Sequence, residues 1–186
     1  MSSPSRQTLL DTTYRFISLF TQPFSPSAAL GLRAPRCIHH IGPSVPNLTF
    51  TDNDTAVASW ANLQWAFRNY RFTGSGSFRS SSSISNSKEE EEEEEVAGNA
   101  STPIVFVDVE ARTTIFRVRG EADTVDGPYR HDIVFMLTMD AEGRRIEVID
   151  EVCDSAYVAG WMAKFGDEQF KKRSEEWQAR EEEANK

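Results

Sequence analysis

Three histidines and a few acids are the groups in this 186-residue chain whose types suit proton transfer near neutral pH. His39 and His40 are adjacent, Asp132 follows His131, and Glu151 and Asp154 stand three positions apart. Imidazole titrates near neutrality, and a carboxylate does so once it is desolvated. Such chemistry therefore turns on whether these groups stand in water or face a dry enclosure. The stretch GPYRHDIVFML (Gly127–Leu137) poses the question in one strand, polar in its first half and apolar in its second. His131 and Asp132 lie either at a solvated rim or in a pocket whose floor is the apolar half.

Strand parity narrows the choice. Tyr129, His131, Ile133, Phe135 and Leu137 share one face, and Arg130, Asp132, Val134, Met136 and Thr138 share the other. A strand with one wet face alternates cleanly. Here both sets become apolar, so both faces need cover: helices on one, and a cavity, a partner chain or a second layer on the other. Asp132 has a plainer alternative, an ion pair with Arg117 or Arg119. Asp154 also reads as a helix cap, since Asp-Ser precedes an apolar helical stripe. His39 and His40 must point to opposite faces, so at most one looks inward, and a zinc site built from the three histidines is not expected.

The elements that would position these groups are legible from periodicity. Thr8–Thr21 reads as an amphipathic helix, with Leu10, Tyr14, Ile17 and Phe20 near one face. A short helix over Ser27–Leu32 follows, with proline at its first turn, and then Arg36–Ile41 reads as extended. Thr51 or Asp52 caps a third helix striped by Val57, Trp60, Leu63 and Phe67. A strand begins near Asn69–Phe72. Three more are expected at Ile104–Arg119, Tyr129–Met139 and Arg145–Val152, the last two joined by a tight hairpin at Asp140–Gly143. A final helix carries Tyr157, Val158, Trp161, Met162 and Phe165 and ends at Gly166. The order predicts an α+β fold with helices packed on one face of a curved sheet. The expected domain spans residues 8–166, after a disordered N-terminus at 1–7.

The formal net charge is −9, unevenly placed. Residues 74–100, Ser/Gly-rich and then polyglutamate, hold seven Glu against Arg79 and Lys88. They read as a disordered insertion, an inert one or one that docks a protein partner. Residues 167–186 read as a charged tail, a loose helix bearing Phe170 and Trp177, with seven acids against five bases. Without a basic excess, neither nucleic acid nor an anionic membrane is an expected partner. Cys37 and Cys153 make no disulfide framework. No apolar run approaches the ~18 residues of a membrane span, and Arg6, Asp11 and Arg15 interrupt any leader-like stretch, so a cytoplasmic setting is expected. No phosphate loop, nucleophile elbow or dinucleotide fingerprint is present.

APRCIHHIGPS (Ala34–Ser44), VDVEAR (Val107–Arg112) and GPYRHDIVFMLTMDAEGRRIEVIDEVCDSAYV (Gly127–Val158) resemble, in order and spacing, the SnoaL-like proteins of the nuclear transport factor 2-like superfamily. The fungal group tied to polyketide and meroterpenoid pathways is the most similar flavour, matched by Pro35-Arg36-Cys37-Ile38-His39, Gly127-Pro128-Tyr129 and Glu151-Val152-Cys153-Asp154-Ser155. The resemblance spans roughly residues 8–73 and 103–165. It implies a cone-shaped α+β barrel around a pocket, acid–base chemistry with neither metal nor organic cofactor, and frequent homodimers. On that implication His131, His39, Asp132, Glu151 and Asp154 are the catalytic candidates. Tyr14, Arg36, Trp60, Trp65 and Tyr129 are candidates to bind a small apolar oxygenated molecule, with Arg33 a second cation able to hold a carboxylate or enolate. The expected activity is that of an isomerase, cyclase or dehydratase. The rival is a non-catalytic binding or dimerisation module whose pocket is filled by its own side chains, such as Phe135 or Trp65.

Overall fold

Ser5 opens the first helix by accepting the Thr8 N–H on its Oγ at 3.1 Å, and the helix runs over Arg6–Ser18 (α1), starting earlier than its apolar spacing predicts. The computed structural model describes residues 3–20, 23–42, 47–74 and 102–184, so all but the first residue of the expected insertion lies outside the described residues. Ser25 caps Pro26–Leu32 (α2), with proline in its first turn. The chain then extends as Arg33–Gly42 (β1) and Leu48–Phe50 (β2). Asp52 accepts the Thr55 N–H at 2.7 Å and starts Asn53–Ala61 (α3). A single 3-10 turn at Gln64–Ala66 leads into Arg68–Gly74 (β3).

The expected strand over Ile104–Arg119 is in fact a hairpin. Val105–Asp108 (β4) turns back into Thr113–Thr124 (β5) and pairs with it, Phe106 opposite Ile115. The turn has no Gly or Pro to announce it. Asp108 makes it instead, accepting the Ala111 N–H at 2.9 Å, while Arg112 takes a left-handed φ of 54°. Gly127–Met139 (β6) and Ile146–Cys153 (β7) follow, joined where Gly143 adopts φ 73° and its N–H reaches Asp140 O at 3.0 Å. Ser155–Phe165 (α4) and Glu168–Ala184 (α5) complete the chain.

The strands form one curved, unclosed sheet in the order β2-β1-β7-β6-β5-β3, with β4 sharing the β5 edge with β3. Among the described residues only β1 and β7 run parallel. On β6 the odd residues from Tyr129 to Met139 are buried and the even ones are partly or fully exposed, so the concave face carries His131 and the convex face Asp132. α1 docks on the concave side through Phe16, which packs edge-on to Phe135 at 5.2 Å, and through a buried Thr13–Thr114 hydroxyl contact of 2.8 Å. A second apolar cluster gathers Phe67, Tyr129, Trp161 and Phe170 under α4 and α5. The expected charged tail is thus a docked helix. Phe170 is buried, and the Gln178 amide donates to the carbonyls of Trp65 (2.7 Å) and Phe67 (3.2 Å). No described helix is long and apolar enough to cross a membrane.

Candidate functional site

Between the two apolar clusters lies a cavity of about 280 Å³. Phe50, Trp60, Phe67, Trp161 and Phe165 form much of its wall, and Leu48 and Met162, both exposed, stand at its rim. Besides Ser59 of α3, four polar side chains of the sheet reach the same wall: Tyr70 from β3, Tyr129 and His131 from β6, and Glu151 from β7. Parity explains the convergence, because each of these residues falls on the concave face of its strand.

Glu151 is 4% exposed, and its Oε2 lies 3.2 Å from His39 Nε2. Oε1 takes no hydrogen bond from the described residues, while the side chain forms part of the cavity wall. His39 itself is enclosed, its Nδ1 lying 3.1 Å from Arg33 Nη2. Its neighbour His40 turns outward and meets Thr49 Oγ1 at 3.0 Å.

His131 is buried against aromatic rings, edge-on to Tyr129 at 4.9 Å and stacked on Tyr157 at 6.1 Å. Burial holds its pKa below the ordinary 6.5, against the opposing pull of Glu151, so the imidazole is neutral at pH 7. Its Nδ1 and the Tyr70 hydroxyl are both buried without a hydrogen-bond partner among the described residues. Gly120, opposite His131 in the sheet, makes room for them. A Cβ there would lie 3.0 Å from Tyr70 Oη and 3.4 Å from His131 Nδ1. Burial, with the Glu151 charge adding to it, drives the Tyr70 phenol far above its ordinary range, so this hydroxyl can donate and cannot serve as a base. Burial likewise raises the Cys153 thiol to about 11, which removes it as a nucleophile.

Of the residues selected from the sequence, the structure brings Glu151, His131, Tyr129 and Trp60 to the cavity wall and sets His39 directly behind Glu151. Asp132 stands on the convex face, where Arg117 Nη2 (2.7 Å) and Arg119 Nε (3.1 Å) donate to it. Asp154 caps α4, accepting the N–H groups of Ala156 and Tyr157. Tyr14 and Arg36 are exposed, and Trp65 packs on Phe165 and Phe170 instead of lining the cavity. Phe135 belongs to the core under α1. A larger groove of about 680 Å³ runs past Phe20, Arg68, Arg71 and Gln178, but its arginines pair with Glu181 and Glu121, and it shares only Trp60, Phe67 and Tyr70 with the cavity that Glu151 lines.

No protein-family model matches the chain. At 24% identity over 168 residues it is similar to the austinoid biosynthesis clusters protein S of Penicillium brasilianum, over 90% of this chain and 97% of that relative. The BvnE pinacolase of Penicillium brevicompactum superposes with a TM-score of 0.65 at 18% identity, covering 85% of this chain and 90% of that one. A chain from Jannaschia sp. CCS1, described as SnoaL-like, superposes with a TM-score of 0.57 at 11% identity, over 85% of this chain and 93% of that one. The chain has the SnoaL-like form of the nuclear transport factor 2-like fold.

Two features of this site escaped the sequence. Tyr70 shares strand parity with Phe72, a usable signal once β3 is placed, and the structure turns both toward the interior. Tyr157 is one of the apolar-stripe residues of α4, yet its hydroxyl accepts the Arg130 N–H at 2.9 Å and pins the head of β6 to the helix. No periodicity encodes that contact.

Proposed function

We propose that this protein is a cofactor-independent isomerase, cyclase or dehydratase that acts by acid–base chemistry on an apolar, oxygenated molecule of polyketide or meroterpenoid type. The observation that carries the reading is a single apolar cavity whose wall presents a buried carboxylate with one unengaged oxygen beside two unpartnered polar groups, Tyr70 Oη and His131 Nδ1. Glu151 is the base and takes a proton from carbon beside a carbonyl. The negative charge then moves onto the substrate oxygen, where the Tyr70 hydroxyl donates to it in largely apolar surroundings. Neutral His131 lines the same cavity and serves the second proton transfer. The apolar walls hold the hydrocarbon body of the ligand. The similarity to a pinacolase and to austinoid-cluster proteins supports a rearrangement or isomerisation of a polycyclic substrate.

The test begins with mass spectrometry of ligands that co-purify with the protein. The ligand identified is then incubated in D2O with the wild type and with Glu151→Gln, Tyr70→Phe and Asp132→Asn. Deuterium enters beside the carbonyl with the wild type and with Asp132→Asn, and Glu151→Gln slows the exchange by about 100-fold or more. Exchange that survives in Glu151→Gln removes Glu151 as the base.

The convex face supports a homodimer. Ile115 and Val152 are exposed there, and Val134 and Met136 lie between them in the register of β5, β6 and β7. Val134→Glu, followed by sedimentation velocity, tests this assembly.

A further inference from the structure

Arg33 is nine-tenths buried, yet among the described residues no carboxylate pairs with it directly. Its Nη1 lies 3.6 Å from Cys37 Sγ and its Nη2 lies 3.1 Å from His39 Nδ1. The local backbone makes this possible. Arg33 pairs with Ile146 and Ile38 with Val148, so β1 spends five steps where β7 spends two. The bulge curls the start of the strand back beneath His39, and the Asn53 amide fixes it by donating to Ala34 O at 2.8 Å.

Hydrogen-bond chemistry then determines where the proton on His39 sits. A guanidinium only donates, so Nδ1 must present its lone pair to Arg33. The ring proton is therefore on Nε2, which faces Glu151 Oε2 at 3.2 Å and donates to it. A proton on Nδ1 would set donor against donor across 3.1 Å in a buried setting. With both ring nitrogens committed, His39 does not carry protons to or from the cavity. It holds one oxygen of Glu151 and leaves the other directed at the ligand space.

We infer that Arg33 is a positioning residue that fixes His39 as the neutral Nε2–H tautomer and, through it, sets the orientation of the Glu151 carboxylate. The inference rests on Glu151 being the proton acceptor of the proposed reaction, but its structural half can be read without turnover. The full chain labelled with 15N-histidine contains only three imidazoles, assigned by comparison with His40→Gln and His131→Gln. Long-range 1H–15N correlation at neutral pH is expected to show protonated Nε2 and bare Nδ1 for His39. Arg33→Met abolishes that pattern in favour of mixed tautomers or an imidazolium, and Arg33→Lys, which keeps a donor, restores it. In the deuterium-exchange assay Arg33→Met slows exchange by up to about 100-fold with ligand affinity little changed, and Arg33→Lys recovers most of the rate.

A wild-type His39 carrying its proton on Nδ1 overturns the inference whatever the variants do. So does a folded Arg33→Met whose His39 spectrum is that of the wild type. Should Arg33→Met fail to fold, the wild-type tautomer and the Arg33→Lys exchange rate still decide. If the tautomer is as expected and Glu151→Gln exchanges at full rate, the proposed reaction fails while the clamp stands.

Discussion

Replacing Phe170 by alanine tests whether the last helix is part of the fold or an appendage to it. Phe170 is 1% exposed on an otherwise highly charged helix, ringed by Trp65 at 5.9 Å, Trp161 at 6.2 Å and Phe165 at 6.3 Å. Burying a phenyl ring of about 200 Å² is worth about 5 kcal/mol at about 25 cal/mol per Å². Measured Phe→Ala costs run at about 3–5 kcal/mol, larger where the walls cannot collapse. Three stiff aromatic rings are poor at collapsing, so the upper half of that range is expected. For a chain of this size, where 1 kcal/mol moves Tm by about 2–4 °C, the midpoint should fall by roughly 8–20 °C. The control is Glu175→Ala, exposed on the same helix, with an expected change within about 0.5 kcal/mol. Urea unfolding followed by tryptophan fluorescence gives the free energy directly. A loosened α5 also frees the carbonyls of Trp65 and Phe67 from Gln178, so the Phe67 side of the cavity should bind its ligand more weakly. A Phe170→Ala protein within 1 kcal/mol of the wild type, or a chain ended at residue 166 with an unchanged midpoint, refutes the docking and its energetic weight together.

Three further outcomes are expected. Gly120→Ala places a methyl group 3.0 Å from Tyr70 Oη and 3.2 Å from His131 Cε1. Aromatic neighbours limit how far Tyr70 can retreat, so overpacking of about 1–3 kcal/mol should outweigh the 0.4–1 kcal/mol (about) gained from a stiffer unfolded chain, and calorimetry should show a lower Tm. His131 has its folded-state pKa depressed by burial, so its contribution to stability is complete above about pH 6.5 and is lost as pH falls below that value, the unfolded chain binding the proton first. Denaturant titrations from pH 7.5 to 5 should show that slope flattened in His131→Gln, and an unaltered slope would mean that His131 is not held neutral by the fold. Asp132→Asn should cost no more than about 1 kcal/mol, since its partners Arg117 and Arg119 are about half exposed, and a larger loss in chemical denaturation would point to a buried role.

How much of this was legible beforehand differs from residue to residue. The parity of β6 put Tyr129 and His131 opposite Asp132, and the structure keeps that division, with Val134 and Met136 sharing the convex side with Asp132. Asp52 and Asp154 announced their helices because a side-chain cap is a local event within three residues. The split of β4 from β5 was hidden because Asp108 makes the turn with a side-chain contact, where Gly or Pro would have marked it. The three-residue β2 is too short to show a period. The helix of α5 was legible, but its docking was not, because nothing in its own residues announces the aromatic nest on which Phe170 lands.

The candidate site follows the same division. Glu151, His39 and His131 were selectable because each is an ionisable residue at an inward strand position. What selection by type could not supply is the ordering of roles, because His39 and His131 are the same residue in different company. His39 is bracketed by a cation and a carboxylate and has both nitrogens engaged, whereas His131 is bracketed by rings and has Nδ1 unpartnered. A histidine held at both ends is an orienting strut, and one with an idle nitrogen beside a cavity is free to exchange a proton. The long-range contact of His39 with Glu151, 112 residues apart, and the β1 bulge that returns Arg33 to His39 make that distinction, and neither has a signature in local sequence.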